Sequence, residues 1–213
     1  MRSTSDVRGD DALANIMFPG QSYYHPLRRF HEWLRPKSYI EIGVSTGASI
    51  ILAKSPTVAV GIDPNPQLLS AARTVCKIFP ITSDEYFAVR DACADLEAET
   101  VDLAFIDGLH LFEQVLRDFI NIERISNYRT VVLIHDTFAI DALTAERERK
   151  TDFWTGDYVE DRPVPPRVSA RPTALHDRNA SFRVEYCEQS PLELDSIERQ
   201  FQRDRLPVCL AGD

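Results

Sequence analysis

A strand that runs into a glycine turn, and a second strand that stops on an acid, constrain this chain more than any other feature. Tyr39-Ile40-Glu41-Ile42 leads into Gly43-Val44-Ser45-Thr46-Gly47, and the apolar run Val58-Ala59-Val60-Gly61-Ile62 ends at Asp63. Strand, glycine turn, helix and acid-tipped strand form one half of a nucleoside-binding α/β unit. Gly43 and Gly47 let the backbone approach a ligand that a Cβ would obstruct. Asp63 stands where a carboxylate can accept both ribose hydroxyls. Only two glycines are present, with three residues between them, so this is not the Gly-x-Gly-x-x-Gly dinucleotide fingerprint. That spacing disfavours a nicotinamide-dependent oxidoreductase.

The flanking segments repeat the strand–helix alternation. Leu27, Phe30, Trp33 and Leu34 recur at helical spacing over Tyr24–Leu34, and Pro36 ends that helix. Strands are expected at Tyr39–Gly43, Val58–Asp63, Val101–Ile106 and Val131–Ile134, with helices at Ala48–Lys54, Gln67–Cys76 and His110–Arg124. Lys77–Ala88 reads as a less regular unit with Ser83-Asp84 as a helix cap. Near-continuous apolar strands alternating with helices predict a Rossmann-like parallel sheet covered on both faces. The length of 213 residues suits one domain with a sizeable core, spanning 23–157 after a polar leader at 1–22.

Charge and cysteine usage exclude several functions. A net charge of −9 leaves no basic face for nucleic acid. No apolar run has the length of a membrane span, and the polar start lacks a signal-peptide core. Cys76, Cys93, Cys187 and Cys209 are scattered, fit no zinc spacing and read as free thiols of a reducing cytoplasm.

Three strands end on acids at their carboxyl edge: Asp63, Asp107 and Asp136. Open α/β sheets bind ligands at that edge, although a single such Asp equally serves as a helix cap. The strings Tyr39–Gly43, Ile106–Glu113, Leu116–Phe119 and His135–Thr137, taken in this order, resemble a bacterial subgroup of the class I S-adenosylmethionine-dependent methyltransferases. The resemblance covers about residues 22 to 157, and Phe153-Trp154-Thr155-Gly156-Asp157 still shares it.

That resemblance implies a cofactor pocket. Glu41, Gly43 and Gly47 would form its methionine side, Asp63 would hold the ribose, and Ser83 and Asp84 would lie near the adenine or simply cap a helix. Asp107 would sit beneath the methyl-sulfonium, where a carboxylate stabilises positive charge. Methyl transfer needs alignment and, for a hydroxyl acceptor, removal of a proton. His110, His135 and Asp136 join Asp107 as candidate catalytic residues, the histidines because their intrinsic pKa suits proton transfer. Some relatives hold a divalent metal with acids at the ends of strands four and five. Here His135 replaces one such acid, magnesium prefers oxygen ligands, and no metal is expected. The implied activity is methyl transfer to a small-molecule acceptor, with a hydroxyl oxygen favoured. A non-catalytic protein that only binds S-adenosylmethionine is the alternative. Oligomeric state is not legible.

Residues 158–213 break the pattern. Pro163, Pro165, Pro166 and Pro172 stand among arginines, and no strand is expected there, although the family fold ends with a terminal antiparallel hairpin. Reading one nucleotide later from Val159, with free choice of wobble bases, yields a helix, a strand, a Pro-Ser-Gly turn and another strand. The expectation is therefore a frameshift near Asp157–Val159, with residues 158–213 an irregular, out-of-frame tail and the terminal strands missing.

Overall fold

The structure is a computed structural model that describes Ile16, residues 22–157 and the backbone of 183–186. Its centre is a six-stranded sheet in the order β3-β2-β1-β4-β5-β6, parallel at every pairing. The strands are β1 (Ser38–Ile42), β2 (Lys54–Ile62), β3 (Arg73–Phe79), β4 (Leu103–Ile106), β5 (Val131–Ile134) and β6 (Arg183–Tyr186). The helices are α1 (Tyr24–Leu34), α2 (Ser83–Val89), α3 (Ala92–Leu96) and α4 (Phe112–Arg124).

Side-chain alternation along each strand splits the core into two layers. Tyr39, Ala59, Leu103, Phe105, Val131 and Leu133 face α1, whose Leu27 and Phe30 complete that layer. Ile40, Ile42, Val60, Ile62, Ala104, Ile106 and Val132 face the opposite way, onto Tyr86, Leu96 and Ile122 of α2, α3 and α4. Truncating a fully buried anchor such as Leu27 would cost about 2–5 kcal/mol through lost transfer energy and the cavity left behind. α1 begins with Pro26 in its first turn, where a missing N–H is harmless. It stops at Arg35, which takes left-handed φ and returns its N–H to the His31 carbonyl.

Several sequence expectations are corrected. Ala48–Lys54 is not an α-helix: a single 3-10 turn, Ile50–Leu52, leads straight into β2, which starts at Lys54. Gln67–Cys76 is not a helix either, because Arg73–Phe79 is claimed by β3 and pairs with β2. Val75, Ile78 and Phe79 carry strand propensity, and pairing with an existing strand outweighs the helix-forming composition of Gln67–Ala72. The cap of α2 is Thr82, not Ser83-Asp84. Its hydroxyl accepts the Glu85 N–H at 3.2 Å while Glu85 accepts the Thr82 N–H at 2.9 Å. α4 starts at Phe112 rather than His110, which frees His110 for the site.

The expectation of no strand beyond residue 158 is also corrected. Arg183–Tyr186 forms β6 and pairs parallel with β5, Val131 opposite Arg183. The alternation Arg-Val-Glu-Tyr is the period-two signal of a strand, outweighed in the sequence by the surrounding proline and arginine. The pairing is parallel, where the resemblance implies an antiparallel hairpin. The rest of the proposed out-of-frame tail lies outside the described residues.

Candidate active site

Parallel register builds the site. Ile62, Ile42, Ile106 and Ile134 lie opposite one another across β2, β1, β4 and β5. The next residue of each strand is therefore in one row along the carboxyl edge: Asp63, Gly43, Asp107 and His135. The ladder extends into that row, with Gly43 N–H donating to Ile62, Asp107 N–H to Ile42 and His135 N–H to Ile106, at 2.8–3.0 Å.

At one end of the row, four predicted residues converge. His135 Nδ1 lies 3.1 Å from Asp107 Oδ1 and 3.1 Å from Asp136 Oδ1, shared between the two carboxylates. His110 Nε2 faces the same pair, 3.8 Å from Asp107 and 3.6 Å from Asp136. Asp136 turns its carboxylate inward by taking φ 52°, a left-handed conformation that Asp tolerates better than most residues.

The two histidines are driven apart electrostatically. Burial alone would lower His135, but the two carboxylates 3.1 Å from its Nδ1 outweigh it and push its pKa up to about 10. Burial also opposes ionisation of Asp136, yet His135 holds that carboxyl below its ordinary range. His110 sees the same two acids from farther away. Burial dominates there, a neighbouring imidazolium adds repulsion, and its pKa falls below the ordinary histidine value. At neutral pH the cluster thus holds one imidazolium as counter-charge and one neutral imidazole.

His110 is fixed from outside by residues 153–157. The Trp154 indole meets the His110 ring edge-on at 5.6 Å and donates Nε1–H to the Glu146 carbonyl. Gly156 passes so close that a Cβ there would lie 1.5 Å from the His110 carbonyl oxygen. Arg147 pairs with both Glu113 and Asp157, and Asp157 accepts the Phe112 N–H at the start of α4.

The glycine turn adjoins this cluster, with Asp63 at the far end of the row. Gly43 has φ +88°, and a Cβ on it would approach the Asp107 carbonyl to 1.9 Å. The close approach it permits is therefore between the β1 and β4 loops. Gly47 lies under Leu68. Asp63 clamps this turn: Oδ2 accepts the Ser45 N–H and Oδ1 the Asn65 N–H, each at 2.7 Å. Each oxygen keeps a second lone pair.

Glu41 is wholly buried on the α1 face. One oxygen accepts the Tyr39 hydroxyl and the other the Ser49 hydroxyl, both at 2.5 Å. Burial raises its pKa to about 8 against the lowering effect of those bonds. Ser83 and Asp84 are not brought to the histidine cluster. They face α4, where Gln114 donates to both and Arg117 pairs with Asp84. The same patch holds Asp118, 1% exposed, whose Oδ1 accepts from Gln114.

Sequence reading missed Tyr23. Its ring lies against His135 at 4.1 Å between centroids, tilted by 56°, but it stands just outside the periodic positions of α1, so spacing gave no signal for it. It did not single out Trp154 as a site residue either, although it noted the string that contains it.

Asp107, His110 and Asp136 can each offer a ligand atom with all three atoms within 4.8 Å of one another, so two carboxylates and an imidazole fit a divalent cation. His135, 3.1 Å from both acids, offsets part of their charge when protonated. Among the described residues no helix is long and apolar enough to cross a membrane.

A family profile described as Methyltransferase domain matches residues 40–137, the segment from β1 through the His135–Thr137 loop. Among solved structures, a putative O-methyltransferase from Klebsiella pneumoniae matches with 14% identity, 58% of this chain, 69% of that chain and a TM-score of 0.38. No curated protein matches. Residues 40–137, which hold the edge row of Asp63, Gly43, Asp107 and His135 on the parallel sheet, are thus the part of this chain that matches a methyltransferase domain.

Proposed function

We propose that the domain transfers the methyl group of S-adenosylmethionine to a hydroxyl of a small-molecule acceptor in the cytoplasm. The observation that carries this reading is the cluster of Asp107, His110, His135 and Asp136 beside the glycine turn at the carboxyl edge of β1, β4 and β5. Gly43 and Gly47 shape the methionine side, and Asp63 uses its free lone pairs for the ribose. Ser83 and Asp84 border the base from the start of α2. Glu41 acts from beneath, by holding Ser49 and the turn in place.

S-adenosylmethionine brings an already activated methyl group, so the protein supplies alignment and proton removal. His110, neutral and facing the acid pair, takes the acceptor proton at Nε2. His135 stays protonated and keeps Asp107 and Asp136 from repelling each other. Two like groups in different environments thereby serve different roles. Were a divalent cation bound, Asp107, His110 and Asp136 would hold it, and it would acidify and orient the acceptor hydroxyl.

Titration calorimetry with S-adenosylhomocysteine, followed by a methyl-donor consumption assay over a panel of phenols and methyl glycosides, tests the reading. Binding with turnover supports it. Binding without turnover favours a non-catalytic module, a reading that the parallel β6 supports, since it stands where the antiparallel hairpin of a complete enzyme is expected. NADH binding with no response to S-adenosylhomocysteine would overturn both. The nucleotide sequence around Asp157–Val159 tests the frameshift: stops in the +1 frame would remove it.

A further inference from the structure

The α1 face of the sheet carries an arrangement that the proton-transfer scheme leaves unexplained. Strand alternation puts His135, two residues beyond Leu133, on the same face as Leu133 and Phe105. α1 covers that face, and the residue just before it, Tyr23, reaches the site. The Tyr23 ring lies 4.1 Å from the His135 ring and 5.9 Å from Phe105, and Phe105 meets His135 edge-on at 5.9 Å. The imidazole and these two rings form a closed triangle. Tyr23 is itself held: Tyr24 packs on it at 4.1 Å, and its carbonyl accepts the Leu27 N–H at 3.0 Å, the first bond of α1.

An imidazole needs such a frame. Rotation about its terminal torsion is broad and two-fold, and a half-turn exchanges Nδ1 for a carbon, which would turn a C–H toward Asp107 and Asp136. We propose that Tyr23 is a positioning residue for His135, its ring fixing the imidazole plane that keeps Nδ1 between Asp107 and Asp136. The phenol does no acid–base work: burial, then Tyr24, then the charge of Asp107 hold it protonated. What matters is an aromatic face, not the hydroxyl.

This inference rests on the methyl-transfer reading for its kinetic consequence but not for its structural one, so the two are tested separately. Histidine side-chain NMR on the free protein, with His135 assigned through His135→Gln, reads the contact directly. In the wild type the Tyr23 ring current displaces the His135 ring protons from their ordinary shifts. Tyr23→Phe keeps that shift and Tyr23→Leu, which preserves apolar bulk, abolishes it. In turnover with S-adenosylmethionine and the best acceptor from the panel, Tyr23→Leu lowers kcat at least tenfold. Its affinity for S-adenosylhomocysteine stays close to wild type, its melting temperature falls no further than that of His135→Gln, and Tyr23→Phe stays within twofold throughout. An unchanged His135 signal in Tyr23→Leu overturns the proposal, as does a kcat that falls only with the folded fraction. A wild type that never turns over the donor defeats the functional reading alone, and the NMR comparison still decides the contact.

Discussion

Replacing Glu41 by Gln should make this domain more stable at pH 7.5 while leaving it no more stable at pH 5. Glu41 is 0% exposed, and its two oxygens meet only the Tyr39 and Ser49 hydroxyls. Neither partner brings a positive charge, so burial dominates and the folded-state pKa rises from 4.5 to about 8. A group whose folded pKa is raised contributes its stability fully below the unfolded value. That contribution is lost progressively as pH climbs through the folded one. Each pH unit inside the window from 4.5 to about 8 is worth about 1.4 kcal/mol. Between pH 5.5 and 7.5 the wild type should therefore lose roughly 3 kcal/mol that the variant keeps, an order-of-magnitude figure. Glutamine can accept from one hydroxyl and donate to the other without ever carrying charge. Urea unfolding of both proteins at pH 5.5, 6.5 and 7.5 gives the difference directly, and titrating groups common to both cancel. A difference flat to within about 0.5 kcal/mol over that range would refute burial as the dominant influence. Affinity for S-adenosylhomocysteine should change less than twofold, since Glu41 acts from beneath the turn. A tenfold loss would show that the carboxylate reaches the cofactor.

Other consequences follow from the same site. His110→Gln should lower kcat/KM on the order of 10²-fold. It should also remove the acidic limb of the wild-type pH profile, which lies below the ordinary histidine value because burial depresses His110. A persistent acidic limb in the variant would assign it to another group. His135→Gln should weaken folding at neutral pH, because Asp107 and Asp136 lose their shared counter-charge. Since the His135 pKa is raised to about 10, its stabilisation is complete below pH 6.5 and fades only toward pH 10, so urea midpoints of the two proteins should converge there. Exhaustive dialysis against EDTA should leave turnover within twofold. A loss restored by Mn2+ or Mg2+ would make Asp107, His110 and Asp136 a metal site. His31→Phe should stabilise the fold at low pH. His31 is 5% exposed, meets Tyr39 edge-on at 4.5 Å, and shows no hydrogen-bond partner for either ring nitrogen among the described residues. Burial lowers its pKa to about 4, so the wild type loses stability as pH falls from 6.5 toward 4, and the variant should not.

Much of this domain was legible in its sequence, and the limits are physical. The apolar runs at β1, β4 and β5 and the amphipathic α1 were found because hydrophobic period reports which face is buried. The acids and histidines after those strands were found because chemistry in an open parallel sheet gathers where strands end. The stretch from Ala48 to Phe79 was misread. Ala48–Lys54 and Gln67–Cys76 have helix-forming composition, but β2 takes Lys54 and β3 takes Arg73–Cys76 into a ladder whose hydrogen bonds join distant parts of the chain, which leaves room for only a 3-10 turn at Ile50–Leu52. Arg183–Tyr186 was missed for a related reason: four residues become a strand only beside β5.

The sequence by itself determined the fold class and the identity of the groups at the sheet edge, since both follow from local pattern and residue chemistry. Only the tertiary structure decided what those groups do to one another. Register placed Asp63, Gly43, Asp107 and His135 in one row, and burial separated two histidines of equal intrinsic pKa into a counter-ion and a neutral base candidate. Helix packing brought Tyr23 against His135 from more than a hundred residues away in the chain. Those outcomes depend on distance and dielectric, which spacing along a sequence does not encode.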